Sequence, residues 1–321
     1  MRILVVGGAG YIGSHALRWL LDEGHEVWAF DNLSRGHAWA VPKDRLIIGD
    51  LANEELVRQV LAQQRIEAVM HFAALALVGE SVRDPEPYYH GNVALTLQLL
   101  RAMRAVGVNR LVFSSTCATY GQPRFTPITE DHPQQPINPY GRTKLAVEWA
   151  LADYAAAYGL AYATLRYFNA AGASPSGQLG EEHNPETHLI PLVLQTALGR
   201  RPKLLIYGDD YPTPDGTCIR DYLHVDDLAA AHSLALARLE AGKGLCLNLG
   251  TGRGHSVREV IAAAERVTGK RIPVEVAPRR PGDPAELVAA TRRAETVLGW
   301  RPRYTDLDEI VRTAWEWHRR R

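Results

Sequence analysis

Ile3-Leu4-Val5-Val6-Gly7-Gly8-Ala9-Gly10-Tyr11-Ile12-Gly13 passes from an apolar run through a glycine turn into a helical pattern. The apolar run reads as a buried strand, and residues 11–21 read as the helix that follows it. Gly7 permits the tight turn, Gly10 lets backbone approach a pyrophosphate, and Gly13 lets helix and strand pack closely. The helix N-terminus then faces the phosphates. Alone this loop is a weak signal, and its context strengthens it. Asp31 ends a second apolar run 18 residues after Gly13. A carboxylate there accepts hydrogen bonds from an adenosine ribose and repels a 2′-phosphate, so the expected cofactor is NAD and not NADP.

Working outward, short apolar runs at 3–6, 27–30, 46–48, 68–72, 111–114 and 163–165 alternate with helical patterns at 11–21, 54–63, 88–106 and 140–158. That alternation predicts an α/β fold: a Rossmann-type, doubly wound parallel sheet covered on both faces. After residue 168 the pattern changes. Residues 169–184 are rich in Gly, Ser, Pro and Ala and read as a long loop. A helix at 189–198, a strand at 204–207, a turn at 211–216 and a strand at 245–249 follow. A capping box, Ser256-Val257-Arg258-Glu259, opens a helix to 267, and 306–318 reads as a terminal helix. The expected division is an NAD-binding Rossmann domain at 1–168, with a segment near 222–239 returning to it, and a smaller mixed α/β substrate lobe at 169–321.

The 321 residues are 46% hydrophobic and 22% charged, as in globular proteins, and 36 basic side chains balance 36 acidic ones. No bulk field favours nucleic acid or an anionic membrane, so any anionic ligand is held by local groups. Cys117, Cys218 and Cys246 are far apart, with no Cys-x-x-Cys or Cys/His ligand spacing. No metal site is therefore expected, and a reducing compartment is. The opening apolar run is too short for a signal peptide, and no stretch is long enough to span a membrane. The expected location is the cytoplasm.

Tyr140-Gly141-Arg142-Thr143-Lys144 carries the chemistry. Residues four apart share a helix face. A free phenol has a pKa of about 10 and is a poor base at neutral pH, but an adjacent ammonium lowers it. This pair could serve any alcohol oxidation.

Taken with the glycine loop, the pair resembles the extended short-chain dehydrogenase/reductase family, in its nucleotide-sugar branch. The resemblance extends over nearly the whole chain. It is carried by residues 7–15, Asp31-Asn32-Leu33, His71-Phe72-Ala73-Ala74, Val78-Gly79-Glu80-Ser81, Phe113-Ser114-Ser115-Thr116, Leu165-Arg166-Tyr167-Phe168-Asn169, Asp209-Asp210-Tyr211-Pro212-Thr213 and Arg220-Asp221-Tyr222-Leu223-His224-Val225. It implies that Tyr140 is the acid/base, that Lys144 holds the nicotinamide ribose, and that Thr116 binds the sugar 4-hydroxyl. Gly7, Gly10, Tyr11, Ile12, Gly13, Asp31, Asn32, Asp50, Leu51, Phe72, Ala73, Ala74, Asn92, Tyr140, Lys144 and Phe168 would line the NAD site. Thr116, Tyr140, Asn169, His188, Leu205, Tyr207, Arg220, Tyr222, Arg280, Asp283 and Leu287 would hold a UDP-sugar, with Arg220 and Arg280 clamping its diphosphate.

The implied reaction is interconversion of UDP-glucose and UDP-galactose at sugar C4, in a homodimer joined by residues 88–106 and 140–158 of each copy. Ala76 stands where some relatives carry lysine, and His188 where an amide is common, so the role of His188 is open. Leu287 leaves acceptance of acetamido sugars open. Dehydratases of the branch carry Asp-Glu after the serine or threonine; this chain has Cys117-Ala118. A UDP-glucuronate epimerase and an NAD-binding sensor are the other readings. A sensor has no need of Tyr140 and Lys144.

Overall fold

The computed structural model describes residues 1–280 and 282–321. Its largest sheet has seven strands, in the order Gly244–Leu249, Ala161–Tyr167, Arg110–Thr116, Ala68–His71, Arg2–Val6, Glu26–Asp31, Leu46–Ile48. It is a parallel, Rossmann-like sheet flanked by helices. Val6 stands in register with Phe30 on one side and His71 on the other. Ile3, Leu4, Val5 and Val6 are all buried, which is why this strand reads as an apolar run with no alternation.

Strand order reverses between Arg2–Val6 and Ala68–His71. Connections leave in opposite directions there, so the carboxyl ends open a crevice. The glycines make that point possible. A Cβ on Gly7 (φ +79°) would lie 2.4 Å from the Ala73 nitrogen, and one on Gly13 would lie 2.1 Å from the Gly7 oxygen.

Contacts divide the chain into two compact units. The first comprises Met1–Gly121, Pro133–Arg166 and Ala229–Leu247. Its core joins the sheet residues Leu4, Phe30, Val69 and Phe113 with Leu61, Leu99, Val147 and Leu151 from the helices. The second comprises Gln122–His132, Tyr167–Leu228 and Asn248–Arg321. There Val193, Val260, Ile310 and Val311 pack helices Leu189–Ala197, Val257–Thr268 and Leu307–His318 together. Leu204–Tyr207 pairs in parallel with Val274–Ala277. The capping box is present: the Ser256 hydroxyl accepts from Glu259 N at 3.1 Å, and Ser256 N donates to Glu259 at 2.7 Å.

Two local expectations change, and one element is added. Residues 88–106 are not one α-helix: Glu86–Tyr88 gives way to a π-turn at Tyr89–Ala94 before Leu95–Ala105. The buried amide of Asn92, inside that turn, binds backbone and Thr143. Val78–Arg83 is a short helix that the sequence reading passes over. In the segment expected to return at 222–239, Tyr222–His224 pairs with Asn169–Ala171 in the second unit. The chain re-enters the first unit at Ala229, and Gly244–Leu249 is the strand that joins the large sheet. Among the described residues, no helix is long and apolar enough to cross a membrane.

Candidate active site

In the first unit, the glycine turn leads into the helix Tyr11–Asp22. Gly10 is its N-cap and gives it no side-chain cap. The first N–H groups of a helix have no acceptor within it, so this end suits an anion. Tyr11, Ile12 and Gly13 form that first turn. A Cβ on Gly10 would find Gly7 O at 3.4 Å and nothing nearer, so the approach is open.

Asp31 is buried at the end of the neighbouring strand. Its carboxylate accepts from Ala9 N at 2.9 Å and Leu33 N at 2.8 Å. A carboxylate has about four acceptor positions, so capacity remains for a ribose diol. Asn32 donates to Asp50 at 2.7 Å, and Asp50 also accepts from Ala52 N at 2.8 Å. Those bonds hold the Asp50 carboxyl below its ordinary value. Leu51 beside it is buried.

Phe72 and Ala73 follow the Ala68–His71 strand, and both backbone nitrogens donate to Val6 O. Phe72 packs on His232, with ring centres 4.8 Å apart. Ala74 is half-buried beside them. Asn92 accepts from Leu75 N at 2.8 Å and donates to Leu75 O at 3.0 Å and Thr143 Oγ1 at 3.1 Å. Its amide braces the loop after Ala74.

The uncapped turn, the close glycine contacts and the spare capacity on Asp31 fit a dinucleotide. These residues would bind the pyrophosphate and adenosine of NAD.

The helix Pro139–Tyr158 starts on Asn138, whose side chain accepts from Gly141 N at 2.8 Å. Pro139 at the first position needs no N–H partner. Tyr140 is half-buried, and Lys144 stands one turn later on the same face. Lys144 is buried, and its ammonium donates to Ser114 O at 2.8 Å. Burial pushes that ammonium down to about 7. Thr116 ends the same strand, two residues beyond Ser114. Its oxygen accepts from Ala118 N at 3.1 Å, which leaves the hydroxyl proton free to be donated. Gly141 lets the helix approach this turn, because a Cβ there would lie 2.4 Å from Ala118 O.

One more turn along the helix stands Glu148, which the sequence reading did not single out. It is buried and takes hydrogen bonds from Ser115, Gln134 and Arg166. Arg166 also donates to the Tyr120 hydroxyl at 2.9 Å. The ion pair ties helix, strand and the segment after Thr116 into one frame. Continuing the four-residue spacing from Tyr140 through Lys144 would have pointed to Glu148.

The expected sugar-nucleotide residues, apart from Thr116 and Tyr140, belong to the second unit. Asn169 stands in register with Tyr222, and Arg220 with Leu287. Leu205 and Tyr207, two residues apart, share one face of the strand Leu204–Tyr207. Arg220 is ion-paired with Asp283 and donates to Pro284 O at 2.8 Å. Arg280 lies over the Tyr207 ring, 4.0 Å from its centre. Phe168 is buried just before Asn169. His188 starts the helix Leu189–Ala197, and its ring meets Glu181 and Glu186.

Asp221, beside Arg220, is central to this unit. It is fully buried and accepts from Thr251 N at 2.8 Å, Thr251 Oγ1 at 2.7 Å, Gly252 N at 3.0 Å and Ala289 N at 3.2 Å. It fixes the strand that carries Arg220.

Residues 3–250 match the "NAD dependent epimerase/dehydratase family". A UDP-glucose 4-epimerase of Corynebacterium glutamicum is 57% identical over 316 residues, covering 98% of this chain and 95% of its own. A crystal structure of UDP-glucose 4-epimerase from Brucella ovis in complex with NAD superposes with TM-score 0.94 at 51% identity, covering 98% and 97% of the two chains. One from Bifidobacterium longum in complex with NAD+ and UDP gives TM-score 0.95 at 39% identity, covering 100% and 98%.

Proposed function

The chain belongs to the NAD dependent epimerase/dehydratase family, and from that premise we propose that it interconverts UDP-glucose and UDP-galactose. The observation that carries the reading is the helix bearing Tyr140 and Lys144, set against the strand that ends in Thr116, with Lys144 bound to Ser114 O. Full-length likeness to UDP-glucose 4-epimerases supports the substrate class.

NAD, when bound, supplies reversible hydride exchange at sugar C4. Tyr140 removes the proton of the 4-hydroxyl as that carbon is oxidised, and returns it on reduction. Lys144 favours the phenolate by its charge. Thr116 donates its free hydroxyl proton to the same oxygen and orients it. The 4-keto sugar turns about its link to the diphosphate before reduction on the opposite face. Arg220 and Arg280 hold the diphosphate, and Asn169, Leu205, Tyr207, Tyr222, Asp283 and Leu287 surround the UDP-sugar. Asp31, Asn32, Asp50, Leu51, Phe72, Ala73, Ala74, Asn92 and Phe168 surround the cofactor.

Dehydration at C5 and C6 needs a further acid and base, and positions 117 and 118 offer Cys and Ala. Incubation with UDP-galactose and no added NAD tests the reading. UDP-glucose is expected; a 4-keto-6-deoxy product, or no turnover by protein that retains NAD, overturns it. UDP-N-acetylgalactosamine, assayed beside it, measures how much room Leu287 leaves at C2.

The working unit is a homodimer in the cytoplasm. Trp149 is 63% exposed on Pro139–Tyr158, and Tyr89 and Leu97 are exposed along 86–105. Apolar groups of that size on two neighbouring helices suit a four-helix interface. Light scattering that finds only monomer at micromolar concentration rejects it. Cys117, Cys218 and Cys246 are not joined in disulfides, which fits a reducing compartment.

A further inference from the structure

In the second unit, Glu181, His183, Glu186 and His188 converge just before the helix Leu189–Ala197, and we propose that they bind a divalent metal ion of the zinc class. Each offers one ligand atom, and these atoms all lie within 4.8 Å of one another. His188 Nδ1 is 2.9 Å from a carboxylate oxygen of Glu181 and 2.9 Å from one of Glu186. His183 Nδ1 is 3.3 Å and 3.6 Å from oxygens of the same two residues. A tetrahedral ion with nitrogen and oxygen ligands near 2.0–2.1 Å sets them about 3.3 Å apart, so the observed spacings bracket the required one.

Simple ion pairing accounts less well for this arrangement. A single Nδ1–H of His188 faces two oxygens at equal distance and can make one well-aligned bond. The two imidazoles stand 4.9 Å apart, and both turn toward the same pair of carboxylates. A metal would engage all four groups at once. It takes the lone pair of each Nδ1, the displaced protons pass to solvent, and two carboxylates balance its charge. The carboxylate of Glu186 is already oriented, since Glu186 Oε1 accepts from Thr187 N at 2.8 Å and His188 N at 2.9 Å. Such outer contacts typically aim metal ligands.

An independent observation comes from the terminal helix. Glu181, His183 and Glu186 line a cavity whose wall includes His318. His318 is 6% exposed, and its Nε2 has no hydrogen-bond partner among the described residues. His318 thus adds to the wall of the same cavity a buried imidazole with one ring nitrogen unpartnered among the described residues.

A metal here would fasten the loop before residue 188 to the helix after it. The segment Glu181-Glu182-His183-Asn184-Pro185-Glu186-Thr187-His188 contains no cysteine, so cysteine spacing gives no sign of such a site.

The test uses the untagged full chain. It is equilibrated with zinc sulfate, freed of loose metal by gel filtration, and assayed for zinc by mass spectrometry. The expected result is about one zinc per chain. The double variant Glu181→Gln/His183→Gln should hold it more than about tenfold more weakly. Cobalt titration of the unaltered chain gives a second readout, in which visible bands of tetrahedral intensity should saturate at one equivalent. Absence of retained zinc and of saturable cobalt bands overturns the proposal, as does equal retention by the double variant.

Discussion

A phenol becomes a base at neutral pH only if its anion is stabilised, and in the proposed mechanism the protonated form of Lys144, one turn from Tyr140, does so. Lys144 is held in place by Ser114 O. Replacing Tyr140 with Phe keeps the ring and removes the proton carrier. Turnover should fall about 10²–10⁴-fold while bound NAD, measured after acid release, stays near the wild-type amount. Near-normal turnover would remove Tyr140 from the acid/base role. Behind this pair, Glu148 and Arg166 are each 7% exposed and satisfy one another. Arg166→Met would leave a buried carboxylate without its cation. Unfolding in urea should show a loss of about 3–5 kcal/mol. Glu148→Gln in the same chain should recover part of it, because an amide tolerates burial better than a bare charge. A single variant as stable as wild type would show that the pair is replaceable.

At the scale of elements, the helix Pro139–Tyr158 owes its position to Gly141. Alanine is intrinsically better in a helix by about 1 kcal/mol. Here its methyl would meet Ala118 O at 2.4 Å, and the obstacle is backbone. Gly141→Ala should therefore push the helix off the turn that follows Thr116, lowering turnover and melting temperature together. A stabilised, fully active variant would mean that the contact is loose. The strands and the glycine turn were legible in the sequence because they are local: an apolar run, a turn residue, a helical period. The same holds for the capping box at Ser256 and the helix start at Asn138. The π-turn at Tyr89–Ala94 was not legible. It accompanies a bond from Asn92 to Thr143, 51 residues away. Arg166 and Asp221 escaped for the same reason. Their partners are set by packing, and a single polar residue in or beside a strand gives no hint of what it will face.

At the scale of the whole molecule, the burial of Lys144 links its charge to stability. Burial takes Lys144 from an ordinary 10.5 down to about 7. Between those values the unfolded chain carries the proton and the folded chain does not. The unfolded state binds more protons there, so this group makes stability rise with pH across that window. Below about 7 both states are protonated, and the folded chain bears the full cost of a buried ammonium. Lys144→Met fills the same space without a charge. In cofactor-free protein the variant should unfold at higher urea than wild type at pH 7, and the difference should shrink by about 2–3 kcal/mol on going to pH 9. Comparing the two chains at each pH cancels the groups they share. A difference that stays constant from pH 7 to pH 9 would show that Lys144 keeps an ordinary lysine pKa, and that its charge in the site is not bought at the expense of the fold.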